Sequence, residues 1–256
     1  MTVPPHAAPL LSATGIVVRF GGHTAVSEVD LRVDAGSVVG LIGPNGAGKT
    51  TTFNALTGLI SPDAGRVKLD GRDITSWNTA KRARFGLART FQRLEVFTSL
   101  TVRENVETAI EIRRRWKFFD VADRWNRRTL REESDELLDK VGLADLADVA
   151  GGSLSTGQAR LVEVARALAI RPKLLLLDEP ASGQDVAETV RFGQLLRSLA
   201  VDGMGILMVE HDMDLVMQNC DHIYVLDFGS LIADGTPAVV RKNPAVLAAY
   251  LGAPES

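Results

Sequence analysis

Gly43-Pro-Asn-Gly-Ala-Gly-Lys-Thr50 lies between a β-type run, Ser37-Val-Val-Gly-Leu-Ile-Gly43, and a helix-forming stretch, Thr50-Thr-Thr-Phe-Asn-Ala-Leu-Thr57. The pattern G-x-x-x-x-G-K-[ST] between strand and helix is that of a phosphate-binding loop. Gly46 and Gly48 allow positive φ and a close approach of backbone to phosphate. Successive N–H groups and the N-terminus of the following helix then form an anion cradle. Lys49 is placed to reach the β- and γ-phosphates, and the Thr50 hydroxyl to ligate Mg²⁺. The stretch predicts a nucleoside triphosphate site on an α/β scaffold.

At 256 residues, the chain suits a single α/β domain carrying a subdomain. An apolar content of 45% supports a full core. Lys and Arg number 29 against 32 Asp and Glu, a net charge of −3, so no global basic field points to nucleic acid. A single cysteine, Cys220, excludes an internal disulfide and fits a reducing compartment. It reads as a small buried hydrophobe near a helix end. No run reaches the roughly 18 uninterrupted apolar residues that span a bilayer. Met1–Leu10 lacks a basic n-region and reads as a short Pro-rich tail rather than a secretion signal. Any membrane work is therefore expected from the cytosol, through a partner.

Upstream of the loop, Gly15–Phe20 and Leu31–Val33 read as strands, with Gly21-Gly22 as a turn between them. Arg66–Leu69, closed by Asp70-Gly71, reads as a further hairpin-like strand, and together these predict an antiparallel sheet beside the loop. Residues 79–150 read as mostly helical, with Thr101-Val-Arg-Glu104 as a capping box. Leu130, Leu137, Leu138 and Val141 fall on one helix face, and Gly142 follows as a C-cap. Beyond 153, helices near 156–170 and 185–200 alternate with strands Lys173–Leu177 and Gly205–Val209; Ile223–Leu226 and Leu231–Ala233 follow as shorter strands. That alternation predicts a mainly parallel sheet covered by helices.

Leu174-Leu-Leu-Leu-Asp178-Glu179 is an apolar strand running into two carboxylates. In α/β sheets, ligands bind at the carboxyl ends of strands, so Asp178 is delivered to the phosphate site, where it can hold Mg²⁺ through water. Glu179, one residue on, can accept a proton from an attacking water. Leu154-Ser-Thr-Gly-Gln158 opens a helix whose positive end can face an anion. His211 stands directly after the strand ending at Val209.

This ordered set resembles the ATP-binding cassette (ABC) ATPases from about residue 12 to 252. The resemblance implies an α/β fold of the P-loop NTPase kind: a RecA-like parallel core sheet, an antiparallel β subdomain and an α-helical subdomain. The helical part would span about 93–155 with a basic insert at 111–131, and 1–11 and 253–256 would be tails. It also implies an ATP site built from Asn45, Gly46, Gly48, Lys49, Thr50 and Thr51, with adenine stacked on Phe20. Stacking needs only a π-face, so Phe can serve, although the residue pattern alone reads Phe20 as core. Gln92 matches the glutamine that contacts Mg²⁺ and the attacking water; with Thr50 and Asp178 it makes the implied metal set. Glu179, Gln92 and the switch histidine, His211, make the implied catalytic set. Ser155, Gly157 and Gln158 match the signature, which in the family binds the γ-phosphate held by a second subunit. Asp185 matches the aspartate of the loop that crosses the dimer interface, while Asp185-x-x-Glu188 is equally a helix cap. Two places depart from the general family pattern: Thr156 stands where Gly is usual, and Ser182-Gly-Gln replaces Ser-Ala-Leu.

The resemblance further implies a head-to-tail pair with a second ABC ATPase subunit, a copy or a paralogue, at the cytoplasmic face of the inner membrane. Transmembrane permease subunits would dock on the segment after Gln92, where Arg93-Leu-Glu-Val-Phe97 mixes apolar and charged groups against a rival reading as a core-lining loop. An extracytoplasmic binding protein would act indirectly. Gly86–Gln92, Leu100–Val106, Glu210-His-Asp-Met-Asp214, Leu226-Asp-Phe-Gly229 and Tyr250-Leu-Gly252 resemble importers of branched-chain and other hydrophobic amino acids. Urea and amide importers, the lipopolysaccharide exporter and an iron–sulfur-assembly ATPase are the alternatives. The insert carries Arg113, Arg114 and Arg115 with interleaved aromatics, which reads either as a headgroup-facing patch or as a helix–loop pairing with Glu132, Glu133, Asp135 and Glu136.

Overall fold

A computed structural model describes residues 8–116 and 129–251. Residues 1–7 of the expected tail at 1–11, the expected tail at 253–256 and most of the basic insert, residues 117–128, lie outside them, while Leu10 and Leu11 at the end of the first tail are buried. The chain runs β1 (Leu11–Phe20), β2 (His23–Val33), β3 (Val38–Ile42), α1 (Lys49–Thr57), β4 (Ala64–Leu69), β5 (Arg72–Asp73), α2 (Thr79–Phe85) and β6 (Leu87–Arg89). It continues through α3 (Val102–Trp116), α4 (Leu130–Lys140), α5 (Thr156–Ala169), β7 (Leu174–Asp178), α6 (Val186–Val201), β8 (Gly205–Val209) and α7 (Met213–Asn219). Strands β9 (His222–Asp227) and β10 (Ser230–Gly235) and helices α8 (Pro237–Val240) and α9 (Pro244–Leu251) close it.

Two sheets form. The central one has the order β10-β9-β3-β8-β7-β6, with β9, β3, β8, β7 and β6 parallel and β10 an antiparallel edge. Every residue of β3, β7 and β8 is buried, which is why these strands read as unbroken apolar runs rather than alternations. The two-residue period survives in what each side chain meets. Leu175 and Leu177 enter a core shared with α3–α7, whereas Leu174 and Leu176 enter a second core beneath α1 and the other sheet. Leu41 and Asp178 both pair with Val209, so the chain leaves β3, β7 and β8 at one edge of the sheet. The second sheet, β2-β1-β4-β5, is antiparallel throughout and packs over that second core.

Two sequence expectations need correction and a third needs detail. Most described residues of the span 79–150 are helical, as expected, but β6 interrupts it, no regular element covers 90–100, and only turns and short 3₁₀ segments follow α4 up to α5. Three residues carry no readable period, and β6 exists because Leu87–Arg89 pair with Leu174–Leu176. Strand β2 starts at His23 instead of Leu31, because a bulge at Glu28 (φ 51°) brings both Val26 and Val29 inward and breaks the alternation. Phe20 is not core but 53% exposed, since it stands at the tip of the β1–β2 hairpin opposite His23. Other local readings hold. Thr101 and Glu104 exchange bonds of 3.1 and 2.7 Å, Gly142 (φ 75°) follows the α4 cap, and Cys220 is buried at the end of α7 with its thiol pKa pushed up by burial.

Candidate nucleotide and catalytic site

Helix α1 begins at Lys49 with Gly48 as its cap, no side chain bonding its first N–H groups and no acidic residue in its first turn. Those donors are left for an anion. Gly46 (φ 83°) has open space where a Cβ would stand, while a Cβ on Gly48 (φ 98°) would lie 2.6 Å from the Ala25 carbonyl oxygen. Asn45 and Thr50 are exposed and Thr51 half-buried beside them. Lys49 is 9% exposed; its Nζ donates to the carbonyls of Gly43 at 2.7 Å and Pro44 at 2.9 Å. Burial lowers its pKa, and the charges of Glu179 and Asp178 oppose that shift.

Asp178 ends β7 at 5% exposure, and its Oδ2 is 2.8 Å from Arg89 Nη2. Glu179 adopts φ 47° and donates its N–H to the Val209 carbonyl at 2.9 Å; a non-glycine residue in this region is held there by its surroundings. Its Oε2 accepts from Gln92 Nε2 at 2.8 Å and lies 4.0 Å from His211 Nδ1. His211 is exposed. Beneath it Glu210, fully buried, accepts from the N–H groups of Ala181 (2.7 Å), His211 (3.0 Å) and Asp212 (3.2 Å). Burial raises its pKa, and those backbone donors work against the rise. Sequence reasoning missed Glu210 as an organiser of this loop; an acidic residue directly after an apolar strand was the available signal.

Lys49, Asp178, Glu179, Gln92 and His211 therefore converge at the carboxyl edge of the central sheet. A hydroxyl, a carboxylate and an amide oxygen (Thr50, Asp178, Gln92) are hard donors suited to Mg²⁺ completed by phosphate and water. No described cluster of three or more His, Cys, Asp or Glu side chains could hold a metal by itself. The residues present fit a nucleotide-borne divalent cation better than a resident one.

Ser155, Gly157 and Gln158 form a second cluster. Ser155 caps α5, with Ser155 Oγ and Gln158 Oε1 exchanging bonds with the backbone at 3.2 and 2.9 Å. Among the described residues, no hydrogen bond or ion pair joins Leu154–Gln158 to the loop 43–51 or to Glu179. Instead the cluster rests on the start of α6. Asp185 caps that helix through Glu188 N–H at 2.8 Å, and a Cβ on Gly157 would meet the Glu188 carboxylate oxygens at 2.7 Å. The two unusual positions touch each other: a Cβ on Gly183 (φ 77°) would come within 3.0 Å of Thr156 Cγ2. Glycine at 183 makes room for threonine at 156.

The segment after Gln92 is not core-lining. Arg93, Leu94, Glu95 and Phe97 are exposed and only Val96 packs inward. Helix α5 holds it: Arg160 donates to the carbonyls of Phe91 (2.7 Å) and Gln92, Glu163 accepts the Glu95 N–H at 2.7 Å, and Arg166 donates to the Glu95 carbonyl. Alongside runs a groove of about 460 Å³ whose lining includes Leu59, Arg89, Phe91, Glu95, Arg166 and Ile170. Two arginines of the triplet are bound to one carboxylate, while Arg115 is exposed. Arg113 is 4% exposed; its fork meets Glu133 at 2.7 and 2.8 Å, and Arg114 and Arg171 bond the same carboxylate.

The ABC transporter family profile matches residues 26–182, and the profile of branched-chain amino acid ATP-binding cassette transporters matches residues 230–256. The chain is 42% identical over 250 residues to the high-affinity branched-chain amino acid transport ATP-binding protein BraF of Pseudomonas aeruginosa, covering 95% of this chain and 98% of that one. It is 40% identical to LivG of Escherichia coli, with the same description and the same coverage. It is 36% identical over 243 residues to the lipopolysaccharide export system ATP-binding protein LptB of Haemophilus influenzae, covering 95% and 97%. The crystal structure of an ABC transporter cassette in its ADP conformation superposes with a TM-score of 0.85 at 32% identity, over 96% of this chain and 100% of that one. A nucleotide-free cassette gives 0.84 at the same identity and coverage.

Proposed function

The chain belongs to the ATP-binding cassette transporter ATPases, and from that premise we propose that it powers uptake of branched-chain or other hydrophobic amino acids through separate membrane subunits. The observation that carries the substrate class is the match of residues 230–256 to the branched-chain transporter profile. The likeness to BraF over nearly the full length of both chains supports it. The lipopolysaccharide exporter relative shares the cassette at lower identity.

In this reading, the uncapped N-terminus of α1 and Lys49 bind the phosphates, and Phe20 stacks on adenine. Lys49 turns from the carbonyls of Gly43 and Pro44, which it now bonds, toward the β- and γ-oxygens. Thr50, Gln92 and Asp178 would hold Mg²⁺, which supplies charge neutralisation at the transferring phosphoryl. Glu179, oriented by Gln92, takes the proton of the attacking water, and His211 stands at the γ-phosphate on the support of Glu210. Ser155, Gly157, Gln158 and Asp185 complete the site of a second cassette, so two chains close over two nucleotides.

No helix among the described residues is long and apolar enough to cross a membrane. Work therefore passes to permease subunits, docked on Arg93–Phe97 and the adjoining groove at the cytoplasmic face. The test is uptake of radiolabelled leucine, isoleucine and valine by cells lacking this chain. Uptake should fall and return with the wild-type chain but not with Lys49→Ala. Unchanged uptake of all three amino acids would overturn the substrate assignment.

A further inference from the structure

Arg89 is a fixed internal cation beside the carboxylate assigned to the metal. Its side chain and that of Asp178 are 8% and 6% exposed. The guanidinium spends its donors on three residues of two elements: Nη2 on Asp178 Oδ2 at 2.8 Å, and Nη1 on Asn54 Oδ1 at 2.7 Å and Thr57 Oγ1 at 3.2 Å of α1. Its Cζ also lies over two aromatic rings, 5.5 Å from the Phe53 centroid and 5.0 Å from that of Phe91. Nε is buried without a partner. A planar fork bonded through both terminal nitrogens and set against two rings cannot swing aside without breaking these contacts. Among the described residues, no hydrogen bond reaches Asp178 Oδ1.

We propose that Arg89 is a positioning residue for the ATPase reaction. It pins Oδ2 and offsets part of the carboxylate charge, so that Asp178 offers a divalent cation, or the water that cation carries, one oxygen with reduced pull rather than two at full charge. An apolar core residue at this place would leave Asp178 free to rotate and to bind metal more tightly. The fork also ties β6 and β7 to α1 one turn beyond the phosphate loop, and Gln92 follows Arg89 by three residues. The loop, the carboxylate and the glutamine thus share one clamp.

The inference rests on the reading of Asp178 as the metal-side carboxylate, and the experiment separates the two. Mn²⁺ binding to the full chain with ADP, read by electron paramagnetic resonance, is compared for wild type, Arg89→Met, Arg89→Lys and Asp178→Asn. Arg89→Met should bind Mn²⁺ about tenfold more tightly, because a positive charge has left the site. Its kcat with Mg²⁺ and ATP should fall by about tenfold or more, as for lost support of a ligand. Arg89→Lys, which keeps the charge but not the fork, should hold Mn²⁺ affinity within about threefold of wild type and still lose kcat. Equal or weaker Mn²⁺ binding in Arg89→Met overturns the proposal. Should that variant not fold, a Mn²⁺ affinity change beyond about threefold, or an unchanged kcat, in Arg89→Lys overturns it instead. Unaltered Mn²⁺ binding in Asp178→Asn overturns the underlying reading of Asp178.

Discussion

Thr156 and Gly183 are separate oddities in the sequence and one contact in the fold. Gly183 holds φ 77°, and a methyl there would press on Thr156 Cγ2 at 3.0 Å. Gly183→Ala should therefore destabilise the chain through both backbone strain and crowding, by about 1–2 kcal/mol from the left-handed conformation alone. Thr156→Gly should recover the crowding part and leave the strain, giving a coupling of roughly 0.5 kcal/mol or more in a double-mutant cycle of urea unfolding. Strictly additive effects would show that the contact carries no energy. At this scale the phosphate loop was fully legible, because glycine, lysine and threonine at that spacing between strand and helix serve little purpose besides holding phosphate. Glu210 and Arg89 were not: each reads as an ordinary charge after or within a short strand, and only its burial and its three hydrogen-bond partners set it apart.

Between elements, buried ion pairs rather than apolar contacts alone fix the helices. Glu133 at the start of α4 receives Arg113 of α3 and Arg171 beyond α5. Burial alone would raise its pKa, but hydrogen bonds and charge from Arg113 and then Arg171 outweigh that and hold it at about 2. A carboxyl depressed in the folded state stabilises above its unfolded pKa, and that contribution is lost as pH falls toward the folded value. Glu133→Gln, which strands buried arginine charge, should lose roughly 3–5 kcal/mol at neutral pH. The gap to wild type should close as pH drops from about 5 toward about 2 in urea titrations; a gap independent of pH would contradict the pairing. The sequence suggested that the arginines pair with these glutamates, but it did not reveal the burial of Arg113. Long parallel strands were legible from their apolar runs. β6 and the early half of β2 were not, since one is three residues long and the other carries a bulge.

In the proposed reading, the whole molecule carries two half-sites on one chain. Lys49, Asp178, Glu179, Gln92 and His211 gather at one sheet edge, while Ser155–Gln158, at the start of α5, rests apart against the start of α6. Helix α5 nonetheless links them: its first turn is the signature, and Arg160, Glu163 and Arg166 along it hold the backbone from Phe91 to Glu95. A partner cassette closing on the signature and a membrane subunit docking beside Phe97 would thus act on one helix, and through Gln92 on Glu179. The most direct test of this account is the assembly state and turnover of Glu179→Gln, by sedimentation and phosphate release with Mg²⁺ and ATP. The account predicts a dimer that forms with ATP, persists, and turns over about 10²-fold or more slower than wild type. Wild-type turnover, or a chain that stays monomeric with ATP bound, would contradict it.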